Sequence, residues 1–127
     1  MKRFPLFDPP EYVNWTPDPA LVREFGERIA ADPVRAALGA TLDRERLLGM
    51  YRGLVRFRLH DVMLKRWVRQ GVISKAWLGT GEEAVTIGSV HALDPGDVGG
   101  PMIRNAGACH EMGMSVSSVR RSSSDVD

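Results

Sequence analysis

One cysteine, Cys109, is all that 127 residues contain, so an intrachain disulfide is excluded and a reducing compartment fits the chain. An excess of one charge is missing too. Seventeen basic and 16 acidic side chains leave a formal net charge of +1, which makes no electrostatic case for nucleic acid or an anionic membrane. No apolar run approaches the roughly 18 residues of a spanning helix. The N-terminal MKRFPLFDPPEY places prolines where a signal peptide needs an apolar stretch. The glycines at 99 and 100 are followed by no Gly-Lys-Ser/Thr, so they make no phosphate loop. These absences leave a small cytoplasmic domain, 43% hydrophobic, with a modest core.

What is present reads mainly as helix. Residues 1–17 are the exception: Phe4, Phe7, Tyr12 and Trp15 are spaced among four prolines, which deny the segment a helix or a central strand. Such an arm suits packing on the chain's own body or on a partner. Asp18 and Pro19 open a short helix with Leu21, Val22, Phe25 and Ile29 on one face, ending before Pro33. Residues 34–40 are ambiguous and have room for another helical turn. From about Arg44 to Gln70 the sequence predicts a long helix. Asp43 is placed to cap it, Lys65, Arg66 and Arg69 complement its C-terminal dipole, and Gly71 suits the left-handed residue beyond its end. Leu47, Tyr51, Leu54, Val55, Val62 and Trp67 follow helical spacing. Arg58 and Asp61, three apart, are expected to pair, either on the surface or as a buried ion pair that fixes helix docking.

The stretch from Thr80 to Arg104 carries the most chemistry. Thr80-Gly81-Glu82-Glu83 matches a capping box, in which the threonine hydroxyl accepts from the Glu83 amide and the Glu83 carboxylate reaches back. The helix that follows is rich in small residues. Gly88 within it implies a close neighbouring backbone, since a helical glycine costs about 1 kcal/mol relative to alanine. Asp94-Pro95-Gly96-Asp97 is a turn signal, and residues 98–103 are read as a short buried strand. Arg104 ends that segment, where its planar fork suits a phosphate or carboxylate, or a structural salt bridge. Glu82 is expected to face solvent or a partner subunit. Cys109-His110-Glu111 is adjacent in sequence, and neither His60 nor His91 completes a zinc spacing, so no metal site is expected.

Residues 43–114 resemble the alpha subunit of the decarboxylating component of 2-oxo acid dehydrogenase complexes. The likeness rests on the order MYR…VR…R..D, RQG, GEEA…G…AL, a turn, and an arginine near a glycine. It implies thiamine diphosphate and Mg2+ as cofactors and oxidative decarboxylation of a 2-oxo acid with acyl transfer to a lipoyl group. It also implies a beta subunit, or a fused beta half, and a dihydrolipoyl acyltransferase as partners. In that family a Tyr-Arg pair contacts the cofactor diphosphate. Here the pair is Ile103-Arg104, so the guanidinium contact carries over and the hydroxyl contact does not. Where pyruvate-type members often carry a histidine before the glycine-glutamate motif, Trp77 stands, which leaves the substrate open. The Gly-Asp-Gly motif that holds magnesium in the family does not occur.

The fold expected is mainly α as the chain stands, an N-terminal fragment of an α/β thiamine diphosphate-binding fold. Its divisions are an arm and short helix over 1–42, the dehydrogenase-like part over 43–114, and a disordered serine-rich tail over 115–127. The expectation for that tail is truncation close to Met114, leaving a chain inactive alone. The competing readings are a short paralogue and a non-catalytic helical module that binds a partner subunit.

Overall fold

A computed structural model describes residues 18–115 and residue 118. The aromatic arm and nearly all of the serine-rich tail lie outside the described residues. The chain divides into two compact units, Met1–Leu42 and Asp43–Asp127. The described residues are mainly helical and contain no strand.

The first unit holds α1 (Pro19–Ala31) and α2 (Pro33–Ala40). The Asp18 carboxylate accepts the Ala20 amide at 2.9 Å, and Pro19 needs no hydrogen-bond partner at the first helical position. Asp32 closes α1 and opens α2, its carboxylate accepting from the amides of Val34 and Arg35. The ambiguous stretch over 34–40 is therefore helix, because a second Asp-Pro pair repeats the signal that starts α1. Neither helix has a buried residue, and Val22, Phe25, Ile29, Val34 and Leu38 are all exposed.

The second unit is built on α3 (Arg44–Arg69), with α4 (Glu83–His91) and α5 (Ala106–Glu111) packed on it and on each other. Asp43 caps α3 by accepting the Arg46 amide at 2.7 Å. Gly71, at φ 71°, ends it in a Schellman arrangement: the Val72 amide donates to the Trp67 carbonyl and the Gly71 amide to that of Val68. Gly113 closes α5 in the same way, with Met114 donating to Cys109.

The buried face of α3 is not the stripe its sequence pattern favours. Leu47, Tyr51 and Val55 are exposed, and the inner face is Gly53, Phe57, His60, Asp61 and Leu64, with Met50 and Leu54 beside it. Both sets obey helical spacing, and packing selects the one that holds Phe57. That ring is fully buried, at 0% exposure, in a cluster with Ile87 and Ala106. Two glycines make room for it. A Cβ at Gly107 would lie 2.5 Å from the ring, and one at Gly79 would lie 2.5 Å from its Cζ and against the Arg104 carbonyl as well. Gly53 lets Glu111 and Ile87 approach α3. Gly88, expected to accept a neighbouring backbone, has open space around it, and the adjoining Val85 is 75% exposed. The small residues of α4 thus leave one of its faces uncovered.

Residues 98–103 form no strand. Val98 is 94% exposed and Met102 and Ile103 are exposed too, so the segment is an irregular connection, ending in a turn at Ile103 and Arg104, with no paired neighbour to bury it. The Asp94–Asp97 turn does form: the Asp97 amide donates to the Asp94 carbonyl, and the Asp97 carboxylate accepts the Asp94 amide.

Gly107→Ala should lower stability by about 1–3 kcal/mol through overpacking of Phe57, and Phe57→Ala by about 3–5 kcal/mol. Gly88→Ala, with free space at its Cβ, should raise stability by up to about 1 kcal/mol. Urea unfolding followed by circular dichroism separates the three, and equal effects at Gly88 and Gly107 would refute the packing assignment.

Candidate functional site

The chain returns twice to α3 after Gly71, and each return is tied by a polar contact. Thr80 Oγ1 donates to Asp61 Oδ2 at 2.9 Å. The Arg58 guanidinium donates to Glu83, whose second oxygen accepts the Gly81 amide at 2.9 Å. The expected Arg58–Asp61 pair therefore does not form: each partner is claimed by the segment that opens α4. The capping box is realised only in part. Glu83 does reach back, to Gly81, while Thr80 spends its hydroxyl proton on Asp61 and makes no cap, so α4 begins at Glu83 without a side-chain cap.

Arg104 sits across from the start of α4. Its Nε donates to Glu82 Oε2 at 3.1 Å and its Nη2 approaches Oε1 at 2.9 Å, a two-pronged pair. Asn105 donates from Nδ2 to the same carboxylate at 2.9 Å and to Thr86 Oγ1 at 3.0 Å. Glu82, about two-fifths exposed, is thus partly open to solvent and at the same time engaged by Arg104 and Asn105. Hydrogen bonds from Arg104 and then Asn105 hold its carboxyl below the usual glutamate range. Ile103, the other residue of the expected diphosphate pair, is exposed beside Arg104.

Glu82, Thr86 and Asn105 also form the polar end of a cleft of about 380 Å³. Its apolar wall is Val85, Val90, Leu93 and Met112, and Gly99, Gly100 and Pro101 close it from the side of the connection. Gly99 has a reason to lack a side chain, since a Cβ there would stand 3.0 Å from the Met112 sulfur. The cleft has the shape and polarity of a site for a small, mostly apolar group with one polar end.

Comparison of the chain with protein-family models, curated proteins and solved structures finds no match. The site therefore stands on its own geometry. No helix of the described residues is long and apolar enough to cross a membrane. Among the same residues, no three or more His, Cys, Asp or Glu side chains gather where a metal ion would fit.

Two polar groupings have no counterpart in the sequence reading. Glu111 joins α5 to the other two helices: Oε1 accepts from Arg56 at 3.2 Å and Oε2 meets His91 Nε2 at 3.2 Å, while Arg46 donates to the His91 carbonyl. His60 and His110 are both buried, their rings edge to face with centroids 5.4 Å apart. Within the described structure both ring nitrogens of His60, His110 Nε2 and Asp61 Oδ1 have no hydrogen-bond partner. Buried histidines off the apolar pattern leave no periodic signal, which is why spacing alone does not find them. Cys109 is half-buried against the Phe57 cluster, as ordinary packing requires.

Burial, and then the neighbouring His60, lower the His110 pKa below its ordinary 6.5. The unfolded chain therefore binds more protons at this residue just below pH 6.5, so its contribution to stability is present above that pH and is lost as pH falls. The urea midpoint should drop between pH 7.5 and pH 5.5, and His110→Phe should flatten the dependence. A wild-type midpoint that stays level across this range would contradict the assignment.

Proposed function

We propose that residues 43–114 form the diphosphate-side part of a thiamine diphosphate-dependent 2-oxo acid dehydrogenase of the alpha-subunit type. The single observation that carries the reading is Arg104, paired with the Glu82 carboxylate beside a glycine-lined cleft, at the end of a segment with that family's order of motifs. The reaction proposed is oxidative decarboxylation of a 2-oxo acid with acyl transfer to a lipoyl group. Partners under this reading are a beta subunit or fused beta half and a dihydrolipoyl acyltransferase, in the cytoplasm. The α/β fold of such an enzyme belongs to the proposal, since the described residues are mainly helical and contain no strand.

The residues present fit one end of the cofactor. Arg104 offers a paired donor for a diphosphate, and Asn105 offers a second donor once Glu82 gives way. The metal end is not matched by any cluster of the described residues, and no chemical step is assigned through the cofactor. When bound, it would supply the carbanion chemistry, and this chain's part is to orient its anionic tail. The chain by itself is accordingly expected to be inactive.

A non-catalytic module that binds a partner subunit is the second reading. It is favoured by the Glu82 carboxylate, which already satisfies the Arg104 fork and makes the pair a structural link between α4 and the connection.

Titrating thiamine diphosphate with Mg2+ into the labelled protein and following amide resonances tests both readings. The cofactor reading expects millimolar binding with shifts centred on Arg104, Gly99 and Gly100. Glu82→Gln should strengthen that binding severalfold, because it removes the carboxylate that competes for the Arg104 fork in a solvated ion pair. No shift at these residues would leave the non-catalytic module. Micromolar binding would overturn the expectation that the chain holds only one side of the site.

A further inference from the structure

The rings of His60 and His110 meet edge to face inside the contact between α3 and α5, with centroids 5.4 Å apart. Little water reaches them, since His60 is 5% exposed and His110 6%. Both nitrogens of His60 and Nε2 of His110 lack a hydrogen-bond partner. A neutral imidazole tolerates that lack at modest cost, whereas a buried imidazolium without a partner does not. The contact is therefore built for neutral rings.

The charges nearby compensate one proton and no more. Asp61 Oδ1, itself without a hydrogen-bond partner, stands 3.6 Å from His60 Nδ1, and the other Asp61 oxygen is taken by Thr80. Burial above all, then His60, opposes a proton on His110, and Arg56 of α3 adds to them. The Met114 backbone and Glu111 favour it, but Glu111 is committed to Arg56 and to His91 of α4. The other charged group that α4 turns to this side, Glu83, is paired with Arg58. A proton on His91 would strengthen its pair with Glu111 and so hold α5 closed. Among the described residues, the two buried rings are thus the groups through which mild acid can push α3 and α5 apart.

Opening falls to α5 because it is the smallest helix of the unit. It has six residues against 26 in α3, and α3 holds α4 by itself through Asp61–Thr80, Arg58–Glu83 and Phe57–Ile87. α5 and its flanks also furnish the cleft: Ala108 and Met112 line it, and Asn105 joins Glu82 to Thr86 across its polar end. We propose that the His60–His110 contact is an acid-operated latch: a second proton on the pair releases α5 and takes the cleft apart while α3 and α4 stay folded. This differs from a general loss of stability in acid, in which all three helices come apart together. The latch works whatever the cleft binds, so it is independent of the cofactor reading.

Cys109 lies on α5, is half-buried and is the only thiol of the chain, so it reports the opening directly. The full chain is labelled with a dithiodipyridine, which reacts with thiols in acid, and each rate is divided by that of the urea-unfolded chain at the same pH. Protection of Cys109 should fall at least about tenfold from pH 7.0 to pH 5.5, since each linked proton changes an equilibrium by up to about tenfold per pH unit. That window stays above the ordinary carboxylate range of about 4. Hydrogen exchange at the Phe57 and Ile87 amides should report openings at least about tenfold rarer than those at Cys109 throughout. Methyl resonances of Val85 and Leu93, cleft residues outside α5, should shift in step with Cys109. His110→Phe and His110→Gln, which take up no proton, should each flatten the pH dependence, with folding checked by circular dichroism. Protection of Cys109 that stays level with pH, or that falls as steeply in the folded variants, would overturn the latch. So would equal openings at Cys109, Phe57 and Ile87, or Val85 and Leu93 methyls that stay in place while Cys109 opens. If neither variant folds, the parent's pH profile and its comparison with Phe57 and Ile87 still decide.

Discussion

The second unit depends on the seating of one ring. Phe57 projects from the middle of α3 and is enclosed because two later points of the chain, Gly79 and Gly107, come against it without side chains. Each glycine belongs to a different return of the chain: Gly79 precedes α4 and Gly107 lies within α5. The ring therefore sets the distance at which both later helices can approach α3. In a core this small, with Phe57, Leu64 and Ile87 as its largest fully buried apolar side chains, no other contact could substitute for it. Fully burying a side chain of this size is worth about 1.5–3 kcal/mol in area terms, and a comparable amount again rides on not leaving a cavity.

Polar ties then fix what the ring alone leaves free. Asp61 takes Thr80, Arg58 takes Glu83, and Glu111 takes Arg56 and His91. All of these run between elements and none within a single helix. They specify rotation and register about α3, which a lone aromatic contact cannot do, at the cost of burying Asp61 and the two histidines. Atoms without a hydrogen-bond partner on His60, His110 and Asp61 are the expense of that choice, with His60 Nδ1 and Asp61 Oδ1 facing each other at 3.6 Å, because a buried donor or acceptor without a partner costs about 1–3 kcal/mol. The unit trades stability for a defined arrangement, and the acid sensitivity expected at His110 follows from the same trade.

Much of the helical framework was legible in the residues because its signals are local. Asp18 with Pro19, Asp43, and Gly71 mark ends through hydrogen bonds made within four residues of themselves. What was not legible was long-range. The inner face of α3 contains a glycine, a histidine and an aspartate, so it scores as less apolar than the outer stripe that remains exposed. Residues 98–103 have the composition of a strand and lack the neighbouring strand that would make them one. At the site, Arg104 was identifiable from its place after a glycine-rich segment. Its partner Glu82, 22 positions earlier, becomes its partner only once Phe57 draws both segments toward α3.

That partnership bears directly on whether Arg104 can serve an anion. Both side chains of the pair are about two-fifths exposed, so the pair is solvated and weak. Under the proposed function, a diphosphate, with more charge and more oxygens than a carboxylate, would compete with Glu82 for the same fork. The carboxylate in the fork is thus compatible with either role: it completes a structural tie when no anion is present, and it marks the geometry an anion would adopt. Asn105 bears on both readings, since it is bound to Glu82 and to Thr86 at once. Were Glu82 to withdraw, Asn105 would keep its hold on α4 through Thr86 and the connection would stay docked. The geometry thus suits the proposed anion-binding role without requiring it, and it serves a structural salt bridge equally well.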